Sequence, residues 1–424
     1  MENKYTYLYK CEVEIPPLGM VDDLLCVSEC GFKTAMLNSY INYKTNSKKL
    51  QFGVTKCKKI HVGKVCEDFK CQTLSVDKWI EVEKENEIED KYVGDEIMED
   101  TDDEKYLGDI ISNDGRNIKN IKARVNKGKG IVTRIMNLLN GLPFGKYYFE
   151  VAVILRDSLL VSSVLCNSEA WYNVTNAELD LLETVDLLFM RKLFNAPKTT
   201  PKEMFYLELG VLPFRDIIRK RRLTFLHYIL NENSNSMIYR FLESQLKSSN
   251  PKDWIHTVFK DIEDLKLNVK FADIKEIRKS TLKTMIREST EDFVLKSLTQ
   301  KKKSHSKVMN LEHNMLRMRK YLMPCDIKKT KEEIKLIFKL RSRTTETKTN
   351  FKGKYDYFDC DVCGLEEESQ EHILKCTEIE NMNNEKQEIP NYEKIFHGKV
   401  TEQLCIARRF QVNCEIRDQI LQNK

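Results

Sequence analysis

Arg116 to Leu142 reads RNIKNIKARVNKGKGIVTRIMNLLNGL. Ile118, Ile121, Val125, Ile131, Ile135, Met136 and Leu139 recur at steps of three and four, while Lys122, Arg124, Lys127, Lys129 and Arg134 fall elsewhere on the wheel. Apolar residues at that spacing line one face of an α-helix. The stretch is therefore expected to be one long amphipathic helix, ended by Gly141-Leu142-Pro143. It decides the fold because the helical period persists after it. Further helices are expected at Tyr147–Cys166, Ala177–Phe194 and Phe214–Asn231. Between them Thr199–Pro213 has Pro201 near its start and Gly210 after its end, the usual punctuation of a short helix. Residues 250–345 read as charged amphipathic helices with few breakers.

Before Arg116 the pattern is mixed. Ile15–Gly31 (IPPLGMVDDLLCVSECG) suggests strand, turn, strand around Asp22-Asp23. Ser28–Tyr43 reads as a helix and Leu50–Val62 as short strands. Lys105–Ser112 (KYLGDIIS) reads as a strand ending in a turn at Asn113-Asp114-Gly115. The fold class is α+β, predominantly α.

The chain has 424 residues, 41% hydrophobic and 32% charged, which bounds it to two or three domains with much exposed helix. Residues 1–10 show no secretory signal, and the most apolar run, Val151–Cys166, is broken by Arg156-Asp157 and too short to cross a bilayer. An intracellular location, nuclear or cytoplasmic, and no membrane partner are expected. In that setting thirteen cysteines read as thiols or metal ligands. Net charge is +5, but Glu81–Glu104 holds thirteen acids against Lys84 and Lys91, so the other 400 residues carry +16. The acidic stretch reads as a surface insertion. Basic clusters stand at Arg219–Arg222, Lys301–Lys303 and Lys339–Arg343. They suit either a polyanion partner or solvated helix faces.

The clearest chemical unit is CDVCGLEEESQEHILKC, Cys360–Cys376, with the spacing C-x2-C-x8-H-x3-C. A C-x2-C pair presents two thiolates to one ion, and Gly364 can make the turn after them. His372 and Cys376 stand one helical turn apart. Cys360, Cys363, His372 and Cys376 would close a tetrahedral Zn2+ site, structural because no position stays open to substrate.

Asp22-Asp23 alone is either a plain turn or a pair of oxygen ligands for Mg2+. Its neighbours give it a context. PPLGMVDDLL resembles the x-x-D-D hairpin of the reverse transcriptases of non-LTR, LINE-type retrotransposons. Lys49–Gly63 (KLQFGVTKCKKIHVG) resembles their next block, with Lys56 at its lysine. Lys105–Ser112 resembles the Y/F-L-G primer-grip hairpin that follows, here Tyr106, Leu107 and Gly108. The helices after Arg116, with SEAWYNVTNAELDLLETVD (Ser168–Asp186), resemble the helical thumb. The terminal cysteines resemble the C-terminal zinc knuckle.

The resemblance covers nearly the whole chain. It implies half of a polymerase palm in 1–115, with an acidic insertion at 81–104. A thumb at 116–245, a basic helical extension at 246–350, a CCHC knuckle at 351–380 and a tail at 381–424 would follow. It implies an RNA-directed DNA polymerase acting on RNA template and DNA primer, with Asp22 and Asp23 as catalytic Mg2+ ligands. Family members carry a further catalytic Asp upstream. Only 21 residues precede Asp22, so this chain is expected to be inactive alone. A non-enzymatic nucleic-acid-binding protein and a relic without function stay open beside that reading.

Other residues admit two readings. Lys56 is a proton donor to pyrophosphate by resemblance, or one lysine among many in a basic loop. Lys127, Lys129, Arg219, Arg221 and Arg222 could track phosphates or face solvent. Trp171 and Tyr172 could stack on bases or pack in the core. His227 reads as a packed histidine. Cys57, Cys66 and Cys71 are too irregularly spaced for a metal set.

Overall fold

The computed structural model describes residues 7–9, 13–15, 18–20, 23–28, 31–48, 50, 53, 56–62, 75–84, 87–145, 147–248, 250–302, 316–383 and 390–423. The protein is mostly helical with few strands. Its N-terminal part holds only two-stranded pairings among the described residues. β1 (Tyr7–Tyr9) pairs with β2 (Val13–Ile15), and β3 (Leu18–Met20) with β4 (Asp23–Leu25), both antiparallel. Helix α1 spans Gly31–Asn46. β5 (Lys58–Lys59) runs parallel to β8 (Glu99–Asp100).

The acidic stretch is more ordered than its charge suggests. β6 (Ser75–Lys84) and β7 (Glu87–Ile97) form a long antiparallel hairpin. Trp79, Ile80, Val82, Ile88, Tyr92 and Val93 supply the β-propensity that a charge count overlooks. β9 (Asp103–Tyr106) and β10 (Asp109–Ser112) form another hairpin. The single strand expected at 105–112 is thus two strands. Leu107 (φ 47°) and Gly108 (φ 89°) both have positive φ, the backbone of a two-residue hairpin turn.

The helical body begins with α2 (Ile118–Gly141), as its period requires. The next helix is interrupted: α3 (Tyr148–Leu155) passes into a π-helical turn at Arg156–Val161 and then α4 (Ser162–Val164). A capping box of Thr175 and Glu178 starts α5 (Asn176–Phe194). Pro201 and left-handed Gly210 bracket α6 (Lys202–Leu209). α7 (Phe214–Leu230), α8 (Met237–Lys247), α9 (Trp254–Asp264) and α10 (Lys279–Lys302) follow. The C-terminal part holds α11 (Lys331–Arg341), α12 (Gln370–Lys375), α13 (Thr377–Met382), α14 (Lys394–His397) and α15 (Val400–Gln422).

Two apolar clusters organise these helices. The smaller joins Leu223 and Leu226 of α7 to Trp254, Ile255, Val258 and Ile286. The larger runs from α2 to α15 and holds Phe149, Phe194, Phe205 and Phe338. The Phe194 and Phe338 rings stack at 4.0 Å between centroids. The boundaries expected from sequence cut across this larger core. α11, assigned to a basic extension, lies in it through Ile334, Ile337 and Phe338. The expected tail contributes Leu404, Ile406, Ala407 and Phe410.

Gly210 and Gly128 mark close approaches between distant segments. At Gly210 (φ +66°) a Cβ would lie 2.2 Å from the Arg317 carbonyl carbon, so only glycine lets that segment cross α6. At Gly128 of α2 a Cβ would meet Val185 Cγ1 at 2.8 Å and Val164 Cγ2 at 2.9 Å. In an open helix Gly128→Ala would stabilise by about 1 kcal/mol. Here overpacking reverses the sign. Urea titration is expected to show a loss of about 1–2 kcal/mol, and a gain would contradict the close α2–α5 contact.

Candidate metal centre

The Cys360–Cys376 segment folds as its spacing suggests. The Asp359–Glu367 bridge closes a small two-limbed loop. Cys360 N–H donates to the Glu366 carbonyl at 2.8 Å, and Gly364 N–H to the Cys360 carbonyl at 2.8 Å. Gly364 takes φ +66°, which turns the chain directly after the second cysteine. Ser369 caps α12 by accepting from His372 N–H at 3.0 Å, and Cys376 sits at the joint of α12 and α13. The four donor atoms of Cys360, Cys363, His372 and Cys376 all lie within 4.8 Å of one another. A tetrahedron with Zn–S and Zn–N bonds of roughly 2.3 and 2.0 Å has edges of roughly 3.5–3.8 Å. This donor set can hold a metal ion.

Surrounding groups prepare the ligands. His372 Nε2 lies 3.3 Å from Cys363 Sγ, and its Nδ1 lies 3.2 Å from Glu366 Oε2. A carboxylate on one ring nitrogen turns the other toward the ion. Burial pushes the Cys360 thiol up, and the Cys376 thiol is pushed up to about 12. Burial also opposes ionisation of Cys363, but the Leu365 and Glu366 amides outweigh it and hold its pKa below the ordinary thiol value. Cys360, Cys376, Ile373, Leu374 and Ile379 all belong to the larger core. The unit is therefore no free-standing knuckle. Gln370 ties it down further, donating to the Leu340 carbonyl and accepting from Thr345 and Asn350.

The basic residues divide. Lys127 and Lys129 are exposed on α2, as are Lys119, Lys122 and Arg134, and α2 contains no acid. Arg219, Arg221 and Arg222 are different, neither a phosphate track nor a solvated face. Arg219 donates to Asp216, Asp261 and Asp264 at 2.8, 3.1 and 3.0 Å. Buried Arg222 grips Asp261 with two bonds of 2.8 and 3.1 Å. Arg221 donates to the Leu165 carbonyl and to Ser168. Arg341 is buried against Glu208, at 2.9 Å. Partners far away in sequence convert these clusters into internal ties.

Asp22 lies outside the described residues, and for Asp23 only its backbone, in β4, is described. Lys56 is exposed. Tyr106 ends β9, and exposed Leu107 forms the hairpin tip with Gly108. The sequence reading missed what fixes this hairpin. Asp109 accepts from Arg124, Asn120 and Asn167 at 2.5, 2.7 and 2.7 Å. Partial burial works against its carboxylate, but the Asn167, Arg124 and Asn120 donors outweigh it and hold the pKa below the usual range. Trp171 is buried beneath Arg124 at 5.2 Å, whereas Tyr172 is exposed and donates to the Gly115 carbonyl. His227 is buried, with Nε2 2.9 Å from the Ile277 carbonyl, and Cys66 and Cys71 lie outside the described residues. Among the described residues no helix is long and apolar enough to cross a membrane. No protein-family model, no curated protein and no solved structure matches the chain.

Proposed function

We propose that the chain works in a non-LTR-type RNA-directed DNA polymerase, where it carries the Mg2+ hairpin, the primer grip and the helical thumb. In this reading the Cys3His centre holds Zn2+ and braces the helical body. The observation that carries the reading is the acid-free, solvent-facing basic side of α2, placed directly after the hairpin that Asp109 clamps to it. Lys122, Lys127, Lys129 and Arg134 would follow the backbone of a template–primer duplex, while Lys119 is held by Asp103 at 2.6 Å, and the Leu107-Gly108 turn would meet the primer. Asp22 and Asp23 would supply two of the carboxylates that hold Mg2+. Zn2+ is structural in this scheme: it fixes α12 and α13 and takes no part in phosphoryl transfer.

Binding to an RNA–DNA hybrid should fall steeply with salt. The double variant Lys127→Glu, Lys129→Glu should lower the slope of log K against log salt by roughly two. A flat slope for the parent chain sinks the nucleic-acid reading. Primer extension on poly-rA/oligo-dT should give no product from this chain. Mg2+-dependent product abolished by Asp22→Ala would overturn the expected inactivity. The same α2 face would serve a non-enzymatic nucleic-acid-binding protein, which keeps the salt slope and is indifferent to Asp22→Ala in a complemented enzyme.

A further inference from the structure

Lys348 has no role in anything above, yet it is among the most deeply placed cations of the molecule. Its side chain is 3% exposed. Burying a lysine costs several kcal/mol unless specific partners compensate. Among the described residues its side-chain partners belong to one limb of the metal loop. Nζ donates to the Asp359 carbonyl at 2.9 Å and to Asp361 Oδ1 at 2.7 Å, the residues on either side of Cys360. It also lies 3.6 Å from the centre of the Tyr357 ring, whose hydroxyl donates to the same Asp361 oxygen at 2.9 Å. The neighbouring Thr349 bonds the other limb, through its N–H and Oγ1 to the Glu368 carbonyl at 3.2 and 3.1 Å. Lys348-Thr349 thus lies across both limbs of the loop.

The donor set explains why Asp361, next to Cys360, needs a cation beside it. A divalent ion held by three thiolates and a neutral imidazole carries one net negative charge. Cys360 and Cys376 are each 1% exposed, so water does little to screen that charge. We infer that Lys348 is a positioning residue of the metal centre: through the Asp359 carbonyl and Asp361 it aligns the limb that presents Cys360, and by pairing with Asp361 it keeps an uncompensated carboxylate from standing beside the thiolates. Burial alone would lower the lysine pKa, but Asp361 more than reverses this, so the ammonium stays charged at neutral pH. The proposal depends on the Cys3His centre binding zinc.

The experiment is zinc affinity of the full chain by competition with a chromophoric chelator, with total zinc measured by atomic emission. The parent chain should hold one zinc. Lys348→Met, similar in volume but uncharged, should raise the zinc dissociation constant by roughly 10- to 100-fold. Lys348→Gln, which keeps an N–H donor without the charge, should lose at least about tenfold. Lys348→Arg should stay within a few-fold of the parent. In the weakened variants zinc should leave at a higher pH on acidification. Their Co2+-substituted forms should keep the thiolate charge-transfer band, because all four ligands remain. If Lys348→Met does not fold, Lys348→Gln against Lys348→Arg decides the matter. Parent-like affinity in the uncharged variants overturns the role of Lys348 alone. A parent chain without zinc overturns both this inference and the metal assignment beneath it.

Discussion

Cys376→Ser will abolish metal retention and lower the stability of the helical body by about 3–6 kcal/mol. The loss reaches beyond a small knuckle because Cys376 is the joint between α12 and α13. Ile373 and Leu374 on one side and Ile379 on the other are buried in the core shared with α11 and α15. Without the ion these two short helices lose the tie that fixes their angle, and six residues each are too few to hold helix alone. The estimate stays below the binding energies of free-standing zinc peptides, since apolar packing remains when the ion leaves. Urea unfolding with zinc and after chelation measures it. A chelated chain as stable as the metal-bound one would remove the centre's structural role.

Acid should act like the chelator. In the metal-free chain Cys360 and Cys376 are protonated at neutral pH, the second with a pKa pushed up to about 12. Binding the ion therefore expels at least two protons. The bound thiolates have depressed proton affinity relative to the unfolded chain, so the stability they contribute is present at neutral and higher pH and is lost as pH falls. Affinity should drop by about a hundredfold or more for each unit of acidification near neutrality. A pH-independent affinity would mean that these thiols are not the ligands.

Local features were legible in the sequence, and distant partnerships were not. The α2 stripe, the Pro201–Gly210 brackets and the four metal ligands are short-range patterns, and each has the expected place in the fold. The RKRR run at 219–222 misled because charge density says nothing of what lies opposite. Asp261 and Asp264 come from α9, some forty residues on, and take Arg219 and Arg222 out of solvent. Glu208 and Arg341 are 133 residues apart and meet in the core. The same blindness isolated the Cys360–Cys376 segment: its spacing shows four candidate ligands, but not that α15 packs against α12, where Asn413 donates to the Ile373 carbonyl. In the acidic stretch, alternation of acids with Val, Ile and aromatic residues carried the strand signal that net charge concealed. Asp109 was missed because an acid after a glycine turn is unremarkable until Arg124 and Asn167 are seen to converge on it.

Asp186→Leu will cost about 3–5 kcal/mol, while the double variant Arg156→Met, Asp186→Leu will recover most of that. Arg156 and Asp186 are 1% and 0% exposed, and two bonds of 2.7 Å join them. The guanidinium also donates to Asp157 at 2.8 Å and to the Leu212 carbonyl at 2.9 Å. It thereby links the π-helical turn, α5 and the connection between α6 and α7. Removing Asp186 alone strands a buried cation, which is the expensive case. Removing both replaces charge by apolar volume, at the cost of an unpaired Leu212 carbonyl, about 1–2 kcal/mol. Burial outweighs Arg156 and holds the Asp186 carboxyl above its usual range, a sign that desolvation is costly at this site. Double-mutant cycles by urea unfolding should return a coupling of at least about 2 kcal/mol. A double variant as unstable as Asp186→Leu would mean that the Arg156 guanidinium itself is needed for the geometry of the π-helical turn. In that case the carbonyl bond to Leu212, rather than the charge, would be what sets the register between α3 and α4 beneath the basic face of α2.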